Sequence, residues 1–295
     1  MPDTRTITVT GGRTVGFVDY GPPAGAAVIW CHGGPGSRLE GAALAPAAAA
    51  AGIRIVGIDR PGYGRSTPNP GRSIADWVPD GLAVADALGI DRFTAVGCST
   101  GGAYALALAA RAPNRVRAVV ACCALTDMRW REGKALMSAP ATAGLWAARD
   151  REAAIALATD LMGADGAKML DQAESAAPLP PSDRALMEDP TFLAGMTAGL
   201  AEMFAFSVQG YVDDRLADGV GWGSFDVGAV RCPVVVLHGG ADNVVPPAHA
   251  RHTAAIVPGA KLHVMAELGH FSIVGAVLPT LQSLARSSAP VGHGR

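Results

Sequence analysis

The sequence predicts an α/β protein: a mostly parallel sheet with helices on both faces, interrupted by one long helical insertion. Three observations predict it. Short β-branched apolar runs alternate with alanine-rich helical runs over the first third of the chain and again near its end, the pattern of repeated β-α-β units. Between about residues 127 and 211 no strand-like run occurs. Glycine-rich turns close the apolar runs at 26–31 and 92–97.

Taken in order, residues 5–10 and 13–20 flank Gly11-Gly12 and read as a hairpin. Residues 26–31 are a short strand and 38–51 an Ala/Leu-rich helix; 53–58 are β-branched and apolar throughout, as in a strand buried on both faces. Residues 73–88 carry helical spacing, 92–97 form another strand, and 100–112 an alanine-rich helix that stops before Pro113. A buried strand follows at 116–123. The rhythm breaks near Leu125, giving helical stretches at 143–162, 182–187 and 191–210 and a breaker cluster at 177–181. It resumes with a strand at 233–238, a helix at 247–257, a strand at 260–265 and a helix at 271–286. The reading is one core domain from residues 1–124 and 216–295, a helical insertion over 125–215, and a loose tail at 287–295.

Composition narrows the function classes. The chain has 295 residues, and 24 Lys+Arg against 26 Asp+Glu give a formal charge of −2, without the basic excess of a nucleic-acid binder. With 49% hydrophobic and 17% charged residues it can bury a large core. The greasiest stretch, 42–51, is short and broken by Pro46, so no membrane span is expected. Residues 1–20 carry no apolar signal region. The five cysteines, Cys31, Cys98, Cys122, Cys123 and Cys232, are odd in number and form no C-x-x-C pair. They read as buried thiols of a cytoplasmic protein, with no zinc site. The expected partner is a small-molecule substrate, with no nucleic acid, membrane, metal or cofactor.

The chemistry is carried by Gly97-Cys98-Ser99-Thr100-Gly101, a G-x-S-x-G motif. A predicted strand runs into the serine and a small-residue helix runs out of it, the strand–turn–helix context that gives the motif meaning. A turn that tight leaves no room for side chains two residues either side, hence the glycines. It aims Ser99 Oγ outward, beside the free N–H groups of a helix start. A serine hydroxyl needs a base, and the base needs an orienting group. Among seven histidines, His270 follows a predicted strand in a glycine-flanked loop before the last helix. His263 lies in a strand, His249 and His252 on a helix, His293 in the tail, and His32 in a glycine turn where it reads as structural. Asp242 follows the strand at 233–238, giving the order Ser99, Asp242, His270; Asp127 is the alternative acid. For a developing oxyanion, the expected main-chain donors are the N–H of Thr100 and of Gly34 in the turn His32-Gly33-Gly34-Pro35-Gly36, with Gly33 as the alternative.

These residues resemble the α/β-hydrolase family over roughly residues 6–284. Four motifs carry the likeness: His32–Gly36, Asp59-Arg60-Pro61-Gly62-Tyr63-Gly64-Arg65-Ser66, the glycine-flanked Ser99 turn, and the Asp242/His270 pair. The resemblance implies an eight-stranded sheet with its second strand antiparallel, a helical lid after the sixth strand, and a structural turn at 59–66. The His32–Gly36 turn looks like that of proline iminopeptidases, whereas the residues around Ser99 differ from theirs. Dehalogenases and epoxide hydrolases of the family use an aspartate nucleophile, which Ser99 replaces. Seven of the nine methionines fall in the insertion (Met128, Met137, Met162, Met169, Met187, Met196 and Met203), suiting either an apolar pocket or plain helix packing. The expected activity is hydrolysis of a carboxylic ester or lactone of a hydrophobic small molecule through an acyl-enzyme on Ser99. Carbon–carbon bond hydrolysis, amide or aminopeptide cleavage, and a non-catalytic receptor role are the alternatives.

Overall fold

The computed structural model describes residues 3–137, 140–169 and 178–287. The tail beyond 287, with His293, and residue 177 of the breaker cluster lie outside them. Eight strands form one sheet: β1 (Arg5–Thr8), β2 (Thr14–Tyr20), β3 (Ala26–Cys31), β4 (Ile53–Ile58), β5 (Phe93–Cys98), β6 (Val116–Cys122), β7 (Val234–Gly239) and β8 (Lys261–Met265). Their order is β1-β2-β4-β3-β5-β6-β7-β8. β2 runs antiparallel to both its neighbours, and the pairs from β4 through β8 are parallel.

The continuous apolar runs of the central strands are explained by two cores, one on each face. Alternate residues divide between them: Ile29, Cys31, Val56, Ile58, Phe93 and Ala95 enter one cluster, and Val28, Trp30, Ile53, Ile55, Val96 and Cys98 the other. Successive side chains of a strand point to opposite faces, so a strand covered on both sides has no polar alternation. The first face is covered by α2 (Val78–Ala87) and α3 (Gly101–Arg111), the second by α1 (Ala45–Ala50) and the last helix.

Between β6 and β7 the described chain is helical: α4 (Arg131–Ala135), α5 (Pro140–Ala147), α6 (Arg151–Met162), α7 (Pro181–Met187), α8 (Pro190–Met203) and α9 (Gln209–Gly219). Two predicted helices come out divided. The stretch 143–162 breaks at Asp150, whose side chain accepts a hydrogen bond from Ala153 N at 2.8 Å and starts α6 afresh. The stretch 191–210 ends with α8, turns through Ser207 at φ +96°, and restarts as α9. α9 was unreadable because Asp213, Asp214, Arg215 and Asp218 are all buried; charges that face inward erase the apolar stripe on which helix reading depends. The insertion has its own core, where Leu145, Ala158, Met162, Phe204 and Val212 pack with Tyr63 of the sheet domain. Met128 and Met137 pack with Leu125 and Val245 in a smaller cluster, so these methionines act as filler between helices. After β7 come α10 (Ala248–Ile256) and, beyond β8, α11 (Val277–Ser287). Among the described residues, no helix is long and apolar enough to cross a membrane.

One glycine of the sheet sets the path of the segment that follows β3. A Cβ on Gly57 would lie within the radius of Arg38 O, so the backbone around Arg38 rests directly on β4. Gly57→Ala should therefore destabilise the protein by about 1–3 kcal/mol, the usual cost of overpacking. Gly223→Ala, where a Cβ meets nothing within 4 Å, should stay within about 0.5 kcal/mol of the parent. Denaturant titration of the two variants checks the difference.

Candidate active site

The site is assembled at the carboxyl ends of the parallel strands. β5 ends at Cys98, α3 begins at Gly101, and the reversal is made by Ser99 at φ +51°. Holding a serine in that left-handed region costs roughly 1–2 kcal/mol. The cost is met locally: Ser99 N donates to Cys122 O at 2.9 Å, and Ser99 O accepts from Gly102 N at 3.1 Å and Leu125 N at 3.3 Å. A Cβ on Gly97 would strike the Gly101 backbone, one on Gly101 would strike Cys31 O, and one on Gly102 the Ala124 side chain. The glycines are thus steric requirements of the turn. Ser99 is half-buried, whereas its neighbours Cys98 and Thr100 are buried.

Asp242 and His270 come together from the turns after β7 and β8. His270 Nδ1 lies 2.8 Å from Asp242 Oδ2. The other carboxylate oxygen, Oδ1, accepts from Val244 N at 2.9 Å and Val245 N at 2.8 Å. Burial works to raise the Asp242 carboxyl, but hydrogen bonds from His238 and His270 outweigh it and hold the group well below the usual carboxylate range. Burial likewise disfavours the His270 imidazolium, yet the Cys123 sulfur and Asp242 outweigh burial and raise its pKa above the ordinary imidazole value. Ser99 Oγ forms no hydrogen bond among the described residues.

The other sequence candidates are engaged elsewhere. Both oxygens of Asp127 are taken up locally, by Arg129 at 2.5 Å and by Trp222 N at 3.0 Å. His252 stacks on Trp130 and, with His249, contacts Thr126; His263 is exposed on β8. His32 is buried, with Nδ1 2.6 Å from Gly33 O and Nε2 accepting from Arg60 N at 3.1 Å. The turn at 59–66 is held by Asp59, which accepts from Arg38 N at 2.7 Å and Arg65 N at 2.9 Å. In the 32–36 turn, Gly33 N donates to Glu40 Oε2 at 2.7 Å. The N–H groups of Gly34 and Thr100 donate to no group among the described residues. These two residues adjoin: the Cβ position of Gly34 is 2.8 Å from Thr100 Oγ1.

Sequence reasoning missed four residues that hold this arrangement. His238 Nε2 approaches Asp242 Oδ2 at 3.3 Å and Val245 O at 2.8 Å. Glu40 occupies the Gly33 N–H and accepts from Trp30 Nε1 at 3.0 Å. Asp183, on α7, accepts from Ser272 N at 2.9 Å and Ser272 Oγ at 2.7 Å, bracing the loop that carries His270. Asp214, on α9, is fully buried in the insertion. His238 alone had a local signal, four residues before Asp242; the rest are separated from their partners by folding.

The comparisons with known proteins agree with this architecture. The family profile described as the alpha/beta hydrolase fold matches residues 26–276. A 2-hydroxymuconate semialdehyde hydrolase of Pseudomonas putida is 31% identical over 224 residues, covering 74% of this chain and 71% of that protein. Among solved structures, an enol-lactonase of Burkholderia xenovorans superposes with a TM-score of 0.70 at 19% identity, covering 96% of this chain and all of that one. A carboxylesterase structure from Nitrososphaera gargenis gives a TM-score of 0.74 at 18% identity, again over 96% of this chain and 100% of that one. The eight-stranded sheet, the antiparallel second strand and the matched family profile together establish that this chain belongs to the α/β-hydrolase family.

Proposed function

We propose that the protein is a serine hydrolase that cleaves a carboxylic ester or lactone of a hydrophobic small molecule through an acyl-enzyme on Ser99. The observation that carries the reading is the Asp242–His270 hydrogen bond of 2.8 Å at the same sheet edge as the strained, accessible Ser99. In this mechanism Ser99 Oγ attacks the substrate carbonyl while His270 Nε2 takes its proton. Asp242 keeps the Nδ1 proton on the far side of the ring and stabilises the imidazolium. The carbonyl oxygen becomes an oxyanion that accepts from the unpartnered N–H groups of Gly34 and Thr100. Collapse of the tetrahedral intermediate expels the alkoxide, which takes the proton from His270. Water, deprotonated by His270, then attacks the acyl carbon and returns Ser99 with release of the carboxylic acid. In a lactone the alcohol and acid leave as one opened chain. The helices between β6 and β7 act as the lid over this edge.

A second reading is favoured by one observation: the P. putida relative, 31% identical, is a 2-hydroxymuconate semialdehyde hydrolase. The same residues would then add water across a carbon–carbon bond next to a ketone. A panel of short- and medium-chain p-nitrophenyl esters, lactones, a vinylogous 1,5-diketone and an aminoacyl amide, compared by kcat/KM, separates these chemistries. Preference for the diketone or the amide would replace the ester reading.

Ser99→Ala should fold normally and lower kcat on the preferred ester by about 10³-fold or more. A fluorophosphonate should add one adduct, read by intact mass, to the wild type and none to Ser99→Ala. Near-normal turnover by Ser99→Ala would sink the mechanism. The pH dependence follows from the His270 shift. A base must be neutral to act, and a raised pKa keeps it protonated to higher pH. The acid limb of kcat/KM should therefore have its midpoint above about 6.5, the ordinary imidazole value, and Asp242→Asn should move it down while lowering kcat by about 10⁴-fold. A wild-type midpoint at or below the ordinary value would contradict the assigned role of Asp242.

A further inference from the structure

Asp214 and Arg215 are consecutive residues of α9, in the insertion, and both side chains are buried. Asp214 is the most heavily solvated-by-protein carboxylate described. Its Oδ1 accepts from Arg72 Nη2 at 2.6 Å and Tyr104 OH at 2.8 Å. Its Oδ2 accepts from Arg60 Nη2 at 2.7 Å and Tyr63 OH at 2.9 Å, and Arg60 Nε adds a bond at 3.0 Å. Burial acts to raise this carboxyl, and Arg60 and Arg72 overcome it and hold the group ionised.

The remaining hydrogens of Arg60 reach the 32–36 turn. Nη1 donates to His32 O, and Nη2 donates to Gly33 O at 2.7 Å. The second contact matters chemically. Gly33 C=O and Gly34 N–H belong to one peptide group. A guanidinium on the oxygen draws electron density through the amide and strengthens the N–H as a donor. His32 Nδ1 lies on the same oxygen at 2.6 Å, and Glu40 takes the N–H of the preceding peptide. The Gly33–Gly34 peptide is therefore fixed in direction and polarised, with its N–H left over. Arg215 holds the other side. Its Nη2 donates to Thr100 Oγ1, pairs with Asp218 Oδ2 at 2.6 Å, and lies 3.0 Å from the Cβ position of Gly34.

We propose that Asp214 and Arg215 are positioning residues for the oxyanion hole: Asp214 acts through Arg60 on the Gly33–Gly34 peptide, and Arg215 acts on Thr100. The insertion then has a catalytic consequence besides covering the site, because one turn of α9 aligns both donors. An interaction serving only to dock α9 could have stopped at the Asp214–Arg60 and Asp214–Arg72 pairs. Pairs buried this deeply add little net stability, whereas preorganised donors are the largest lever on a developing oxyanion. The inference rests on the assignment of Gly34 and Thr100 as oxyanion donors made above.

The test compares a p-nitrophenyl ester with its thionoester, in which C=S replaces C=O. Sulfur is a large, weak acceptor, so the thionoester gains little from the two N–H groups. The wild type should prefer the oxygen ester strongly. Asp214→Asn should lower kcat/KM on the ester by about tenfold, mainly in kcat, a fraction of the 10²–10³-fold lost with a whole donor. The thionoester rate should change less than about twofold, so the ester/thionoester ratio falls with the ester rate. If Asp214→Asn does not fold, Arg60→Lys keeps the charge balance but loses the fork, and should lower the same ratio. Equal losses on both substrates, or a lowered melting temperature with an unchanged ratio, would overturn the inference and assign these residues to docking alone. The Ser99→Ala control keeps the two levels apart. An inactive Ser99→Ala with an unchanged ratio in Asp214→Asn removes this inference and leaves the serine mechanism standing; an active Ser99→Ala removes the mechanism itself.

Discussion

Gly97, Gly101 and Gly102 let three pieces of backbone meet where any side chain would collide. That steric allowance is the constraint on which the carboxyl edge of the sheet depends. It brings α3 against the end of β3, so that the turn after β3 and the first turn of α3 lie side by side. It also forces Ser99 into the left-handed region, where the side chain of a strand-end residue leaves the sheet instead of entering a core. The same principle operates at Gly57, where Arg38 lies on β4 and leads the chain out of the 32–36 turn. Backbone proximity, more than any side-chain contact, sets how the 32–36 turn lies against the start of α3.

The second requirement is electrostatic. Charges brought out of water need partners, and this fold resolves the need by spending each donor. Asp242 distributes its lone pairs between two backbone amides and two imidazoles. Glu40 consumes the Gly33 N–H, whereas the Gly34 N–H has no acceptor among the described residues. Arg60 consumes two carbonyls and one carboxylate. At this edge, among the described residues, the N–H groups of Gly34 and Thr100 stay without an acceptor, and these are the donors the proposed mechanism calls on.

The insertion participates in that accounting at two points. α7 braces the His270 loop through Asp183, and α9 reaches the 32–36 turn through Asp214 and Arg60. The His270 loop and the 32–36 turn therefore both lean on elements between β6 and β7. Rearrangement of these helices around a substrate would be felt as a change in alignment as well as in access, which links substrate fit to rate.

By itself the sequence determined the strand–helix rhythm, because a strand covered on both faces is apolar at every position and short, and helices between such strands carry their own period. It determined the turns too. Glycine where a side chain would collide, and Ser99, Asp242 and His270 placed just after apolar runs, are local patterns that survive without knowledge of the fold. Only the tertiary structure decided the rest. It split 143–162 and 191–210, because an aspartate cap and a positive-φ serine outweigh continuous helical composition. It occupied the Gly33 N–H with Glu40, a residue whose reach depends on the 3₁₀ turn at Glu40–Leu44. Most of all it decided α9, where Asp213 and Asp214 are buried against Arg60, Arg72, Arg151, Tyr63 and Tyr104. A charge can lie inside only if it finds a partner, and for Arg60 and Asp214 that partner is 154 positions away. No local reading of composition or period carries information about such a pairing.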